Sequence, residues 1–370
     1  MTGKPRPRNG RYGAAASPSP PRGEGDAGAL RLGSLALSLF LGTTAAFADC
    51  PAAPDPVLGL SFDSRYAADS ETRSRIDPEA EAAAKDALKP VDDFLRDLAR
   101  RANAALDGSD PAAAGCVVAQ VAAWADADAL AGLDSPTARL TVGARLAGFA
   151  LVMLQVAPPG AGSGAGDGDA LVRIDAWLTR RLTDQIAFWE EDAPDGARMG
   201  NLRAWAALAA AATAARSGDA RLRYWAAASA GYVLCSAAPD GSLPQEMARG
   251  RLALQYQLHA ITPLVVTALL LERQGLPLTG VCDGALDRAV GFALSDLDDG
   301  AASATLSGAV QSFFDGSDKI EDFHLAWIEA YLRLSGAAHA ADAEALISPR
   351  RPLTYSKLGG NQTLIWDRLR

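Results

Sequence analysis

Apolar residues recur at helical spacing through most of this chain, and alternation with period two is almost absent. The clearest run covers 78–107, where Leu88, Val91, Phe94, Leu95, Leu98, Ala102 and Leu106 fall three or four apart. Asp77 stands before Pro78 and Glu79, which suits a helix start: Asp accepts from free N–H groups and Pro has none to satisfy. The run predicts a helix kinked near Pro90. Further helix-sized segments lie near 111–132, 136–157, 168–190, 199–217, 219–237, 245–275, 283–296, 320–335 and 338–346, separated by Gly, Pro, Asp and Ser clusters. Eight to eleven helices joined by short turns predict one all-α domain, a helical toroid or solenoid. No repeat of fixed period is visible, which argues against a tetratricopeptide-type array. The glycines of 160–169 imitate a nucleotide loop, but no strand precedes them, and the segment reads as a flexible connector.

The N-terminus departs from this pattern. Residues 1–31 are rich in Pro, Gly and Arg, and an apolar stretch then runs from Leu32 to Ala48. Ala46-Phe47-Ala48 fits the site read by signal peptidase, so 1–48 is expected to be a cleaved leader, with export to the periplasm. The apolar run is short for a membrane span, and no membrane association is expected after cleavage. Residues 49–77 read as an irregular segment punctuated by Phe62 and Tyr66, with the helical domain filling 78–370.

Composition narrows the chemistry. The 370 residues are 49% hydrophobic, too apolar for a disordered chain, and carry 35 basic against 44 acidic groups, a net charge of −9. Loss of a leader holding six basic and two acidic residues leaves 29 and 42, a net −13. Such a protein is a poor general binder of nucleic acid. Three His and four Cys leave little room for a metal site, and no cofactor is expected. Cys50, Cys116, Cys235 and Cys282 form an even set in an exported chain, which suggests disulfides in one of three pairings or buried free thiols.

Two regions carry unusual residues for helices. Gly200-Asn201-Leu202-Arg203-Ala204-Trp205 opens an Ala-rich helix that Asn201 could cap. Gly241-Ser242-Leu243-Pro244-Gln245-Glu246 runs into a helix with Arg249, Arg251, Tyr256 and His259. On a continuous helix Arg249 and Tyr256, seven apart, share a face, and His259 sits on the neighbouring stripe. That face is either a polar constellation or a surface whose long side chains reach water.

These regions resemble the periplasmic, mannuronate-specific alginate lyases of polysaccharide lyase family 5. The segment from Gly200 to Ala207 stands where that family reads roughly N-N-H-S-Y-W-A-A. Residues 241–264, with Gly241, Leu243, Pro244, Glu246, Arg249, Gly250, Tyr256 and Pro263, follow its G-x-L-P-x-E-L-x-R-G…Y…P-L pattern. Weaker likenesses lie at Leu60–Tyr66, at Cys116 with Ala123-Trp124, at Ala326–Tyr331 and at Leu358-Gly359-Gly360, so the resemblance spans nearly all of 58–370. It implies an incomplete α/α-toroid that cleaves a polyuronate by β-elimination. Asn201 and Arg249 would then hold the sugar carboxylate, and Tyr256 would serve as acid and also as base. Arg65 and Tyr66 would line the groove, and Trp205 would stack on sugar or sit in the core. The resemblance also implies a Cys50–Cys116 disulfide, and Cys235 and Cys282 flank the active-site helix as a second candidate pair.

One departure is serious: the family's catalytic His falls at Leu202, which cannot titrate or bind a carboxylate. Arg203 and His259 are the expected compensations. The alternative is a non-catalytic relative that still grips polysaccharide. A glycoside hydrolase would instead need two flanking carboxylates, drawn from Glu190-Glu191-Asp192, Glu246 or Glu329. The partner implied is an anionic polysaccharide, met by a monomer. An acidic protein holds a polyanion only through a local basic strip, here expected from Arg65, Arg203, Arg249 and Arg251.

Overall fold

In the computed structural model, residues 50–159 and 167–369 are described. The expected leader, and residues 160–166 of the glycine-rich connector, lie outside them. The chain starts in an irregular segment fixed by the Cys50–Cys116 disulfide. Two side chains reinforce that anchor: Gln120 donates to the Pro51 carbonyl at 2.8 Å and Trp124 to that of Pro54 at 2.9 Å. Strand β1 (Gly59–Leu60) then pairs in parallel with β2 (Gly132–Leu133), tying the segment to the turn that follows the second helix.

The helices are α1 (Pro78–Asp107), α2 (Ala113–Asp126), α3 (Pro136–Thr141), α4 (Gly143–Val156), α5 (Asp167–Ala187), α6 (Asn201–Ser217) and α7 (Ala220–Leu234). They continue as α8 (Pro244–Met247), α9 (Ala253–Arg273), α10 (Ala285–Ser295), α11 (Ala301–Ser307), α12 (Asp322–Leu325), α13 (Ile328–Tyr331), α14 (Ala340–Ile347) and α15 (Gln362–Arg368). A small antiparallel hairpin, β3 (Thr354–Tyr355) with β4 (Gly360–Asn361), precedes α15. As predicted, Asp77 caps α1, accepting from the N–H groups of Glu79 and Ala80 at 3.0 Å. The architecture is the all-α toroid expected from the helical pattern.

Helix α6 is the hub, packed on α4, α7 and α9. Its run of alanines is buried on nearly every side, as a helix without a polar face requires. Small side chains let the neighbours approach closely. A Cβ at Gly143 of α4 would stand 2.8 Å from the Ala206 backbone nitrogen, so only glycine admits this crossing. The described residues fall in one compact unit, and the expected boundary at residue 77 only separates irregular from helical chain within it.

Three predicted segments differ. The long helix expected over 245–275 is interrupted: α8 ends at Met247, a 3-10 turn covers Gly250–Leu252, and α9 starts at Ala253. Gly250 takes φ +55° there, a left-handed conformation that ends a helix, and packs against Thr72 and Ser74. The segment 320–335 is two single-turn helices rather than one. The connector read over 160–169 overlaps α5, which starts at Asp167, one residue before the helix expected from 168, while α11 and α15 have no counterpart in the apolar pattern.

Cys235 and Cys282 form a second disulfide across 47 residues, joining the end of α7 to the turn before α10. Replacing both by Ser is expected to lower stability by about 2–4 kcal/mol, measured as a lower urea midpoint with an m-value that rises as the uncrosslinked chain expands.

Candidate active site

A cavity of about 550 Å3 opens between the 62–73 loop, α3 and α4, the start of α6, the 249–262 stretch, and the Phe323-His324 and Tyr355–Lys357 regions. Local chemistry fixes each wall. Ser135 caps α3, accepting from Ala138 at 3.2 Å, and also exchanges hydrogen bonds with both backbone groups of Phe62. The next turn of chain is held by a bridge between Tyr66 and Ile76 and by the Asp77 N–H donating to the Arg65 carbonyl at 2.9 Å. Arg65 and Tyr66 therefore hang from the capped start of α1.

Arg249 and Tyr256 meet as expected, but not on one continuous helix. Arg249 belongs to the turn between α8 and α9, and its side chain folds over the Tyr256 ring, 4.0 Å from the centroid, with the Tyr66 ring at 4.9 Å. It donates to the Arg73 carbonyl at 2.8 Å. Burial pulls its guanidinium below the usual value, opposed by Tyr66 and Glu246, and an arginine so placed stays charged. The hydroxyls of Tyr66 and Tyr256 are in direct hydrogen-bond contact. Arg65 donates to both, at 3.0 Å to Tyr66 and 3.3 Å to Tyr256. Two phenols thus share two guanidiniums.

Asn201 lines the same cavity but does not cap α6. Gly200 occupies the cap position, and the carboxylate of Glu246 does the capping instead. It accepts from the Asn201 backbone N–H at 2.7 Å and from Asn201 Nδ2 at 2.9 Å. Glu246 is fully enclosed, and burial pushes its carboxyl up to about 7 against those two bonds and the charge of Arg249. Asn201 Oδ1 is left buried without a partner, an acceptor held ready beside Leu202 at the cavity wall.

His259 lines the cavity but is a weak base there. Burial pulls its imidazole down to about 3, with Lys357 and Arg65 adding to the effect, so it is neutral. Its Nε2 accepts from the Trp205 indole at 3.2 Å, which assigns the ring proton to Nδ1 and occupies the one basic nitrogen. Trp205 is itself only 1% exposed. It orients His259 and offers no face for a sugar ring.

Arg203 and Arg251 stand apart from the cavity. Arg203 is buried, ion-paired to Glu190 at 2.5 Å, bonded to Ser229 Oγ at 3.1 Å, and set beside the rings of Trp225 and Tyr232. The π-helical turn Phe188–Asp192 carries Glu190 to it. Arg251 is spent on Asp315 at 2.9 Å. The expected basic strip is therefore supplied otherwise: Arg65 and Arg249 are joined by Arg73, Arg145 and Lys357. Periodicity could not flag these three, since nothing local distinguishes them; Lys357 does directly precede the Leu358-Gly359-Gly360 likeness. His324 was missed for the same reason. It lines the cavity with Nδ1 accepting from Glu321 and Nε2 without a partner.

Asp63 is the one carboxylate lining the cavity among the described residues. Glu246 serves Asn201, Glu329 is bonded to Arg351 and Thr363, and Glu190 to Arg203 and Trp225. A hydrolase pair is not assembled here. No cluster of three His, Cys, Asp or Glu suited to a metal occurs among the described residues.

The profile of the family described as alginate lyase matches residues 146–302. A polysaccharide lyase of Stenotrophomonas maltophilia is 30% identical over 335 residues, covering 89% of this chain and 94% of that protein. The chain belongs to the alginate lyase family. Other members include an alginate lyase of Azotobacter chroococcum, 27% identical over 86% of this chain and 84% of its own. The fold is shared with alginate lyase A1-III of Sphingomonas species A1, at TM-score 0.69 and 23% identity over 85% of both chains. It is shared equally with a histidine-to-alanine variant of that enzyme complexed with a tetrasaccharide, at TM-score 0.70 and 22% identity over the same shares. In this member of the alginate lyase family, the residues that the motifs singled out converge on one cavity, apart from Arg203 and Arg251.

Proposed function

We propose that the chain cleaves a polyuronate such as alginate by β-elimination, leaving an unsaturated uronate at the new non-reducing end. The observation that carries this reading is the set of Arg65, Tyr66, Arg249 and Tyr256 around one point of a cavity lined, among the described residues, by a single carboxylate. Elimination needs the sugar carboxylate neutralised, so that the C5 proton becomes acidic, and then a base for that proton and an acid for the departing O4. Arg249 takes the carboxylate, a guanidinium being matched to its geometry, with the Asn201 Nδ2 hydrogen that Glu246 does not use as the second donor. Tyr256, as phenolate in the field of Arg65 and Arg249, takes the C5 proton. The C5–H electron pair forms the C4–C5 double bond, the C4–O4 bond breaks, and O4 leaves with the proton that Tyr256 now holds. Tyr66 keeps the second proton of the pair and orients the first. No imidazole is required, which reconciles Leu202 with activity.

An exported, periplasmic site of action is part of the same proposal, and the two disulfides suit an oxidising compartment. Purified 49–370 screened against a panel of polyuronates is expected to produce ultraviolet absorbance from the unsaturated product. Reducing ends without absorbance would instead mean hydrolysis. Leu202 favours one second reading, a non-catalytic relative. That reading wins if a polyuronate binds and no absorbance develops on any member of the panel.

A further inference from the structure

Lys357 is the single lysine lining the cavity among the described residues. It sits in the 3-10 turn Ser356–Leu358 between β3 and β4, with its backbone packed against Gly148 of α4. The acid that faces it is Asp92, but both oxygens of Asp92 are taken by Arg145, at 2.9 and 2.8 Å. The Lys357 ammonium has no hydrogen bond or ion pair among the described residues, while Arg145 and Arg65 repel it. A half-buried cation without a counter-ion is unfavourable, and an incoming carboxylate relieves that cost. Burial brings the ammonium down to about 8, which leaves it mostly charged at neutral pH.

The position of Lys357 says which carboxylate. A second cavity, also about 550 Å3, lies along α1, where Lys85 and Lys89 are paired with Glu81 and Asp93 and where Asp86 and Asp92 also line it. It shares Arg65, Arg145 and Lys357 with the first, so Lys357 stands at the seam between them. Tyr355 and Phe323, with ring centroids 5.4 Å apart, supply apolar surface on the catalytic side. Resting on the lyase reading above, we propose that Lys357 binds the carboxylate of a second uronate residue, adjacent in the chain to the one held by Arg249. A polymer bearing one carboxylate per sugar fits two separated cation sites, whereas a neutral glycan leaves Lys357 without a partner.

The test compares wild type, Lys357→Met and Lys357→Arg on polymeric uronate by ultraviolet absorbance, with thermal melts of all three. Lys357→Met is expected to raise KM about tenfold or more and leave kcat within about twofold. Lys357→Arg restores KM, and the wild-type KM climbs more steeply with salt than that of Lys357→Met. An unchanged KM, a fall confined to kcat, or a loss that tracks a lowered melting temperature without rescue by Arg each overturns the assignment. Should wild type give no absorbance on any polyuronate, the lyase reading fails by itself. Equilibrium binding of the polymer to wild type and Lys357→Met then decides, and equal affinities overturn the role of Lys357.

Discussion

Replacing Tyr256 by Phe is expected to lower kcat by about 10²–10⁴-fold, and replacing Arg249 by Ala by about 10²–10³-fold, with neither change unfolding the protein. Tyr256→Phe removes only a hydroxyl that faces Tyr66 and Arg65, so the ring still fills its place under the Arg249 guanidinium. On the proposed mechanism the lost oxygen both receives the C5 proton and returns one to O4, so binding should survive and turnover should not. Arg249→Ala acts differently. It removes the cation that makes the C5 proton acidic and half of the field that favours the phenolate, so kcat and KM both suffer. Tyr66→Phe should cost less, since Tyr66 orients the proton without taking it from substrate. Progress curves in the ultraviolet on polymeric uronate check all three. Retention of more than a tenth of wild-type kcat by Tyr256→Phe would sink the assignment of Tyr256.

Glu246→Ala is expected to destabilise the fold by about 3–5 kcal/mol, because it opens a cavity and leaves two buried donors of Asn201 unsatisfied. The same residue gives stability a pH dependence whose sign can be worked out. The Glu246 carboxyl lies at 4.5 when free and at about 7 in the fold, with burial as the main cause. Between those values the folded state holds a proton that the unfolded chain has released. Its contribution is therefore complete below 4.5 and is lost as pH rises through 7, about 3 kcal/mol in all. His259 and His324 act in the opposite sense. Burial holds them at about 3 and about 4, so their contribution is complete above 6.5 and is lost as pH falls through those values. Wild type alone mixes these slopes. The comparison with Glu246→Gln separates them: the stability deficit of the variant should be larger at pH 5 than at pH 8. A deficit that grows with pH would show that Glu246 is ionised in its pocket.

Charge illustrates why net values mislead. The whole chain is at −9, yet five cations and one carboxylate line the cavity among the described residues. Attraction of a polyanion is a property of that lining. It is also selective in its use of arginine: Arg145 is neutralised by Asp92, and Arg65 has Glu81 at 3.6 Å, while Arg249 and Lys357 have no acid within ion-pair distance.

Much of the fold was legible in the chain because helical burial is written in local periodicity. Asp77, Pro78 and the apolar stripe from Leu88 to Leu106 define α1 without help from elsewhere. Spacing alone left the disulfide pairing open; family likeness suggested Cys50–Cys116, and the flanking of the active-site helix made Cys235 and Cys282 the second candidate pair, and both bridges are seen. The polar cluster of Arg249, Tyr256 and His259 was visible as an anomaly on an otherwise apolar segment. Its geometry was not, because Gly250 breaks the helix that the spacing assumed.

What the sequence by itself determined is the all-α class and the position of most helices, with the motifs of its family likeness picking out Asn201, Arg249, Tyr256 and Arg65-Tyr66. All of these rest on interactions between residues close in the chain or on motifs contained within it. Only the tertiary structure decided what each charge is for. Arg203 and Arg251 carry the same guanidinium as Arg249, but Glu190 and Asp315 meet them from distant segments and turn them into structural pairs. Lys357 and Arg145, unremarkable in their local context, reach the cavity because the C-terminal hairpin packs on α4. His259 looked like a base until burial, with the surrounding cations adding to it, left the ring neutral and Trp205 met its Nε2. The physical reason is common to all of them: apolar periodicity is a short-range signal, whereas the state of an ionisable group depends on burial and on partners brought from across the fold.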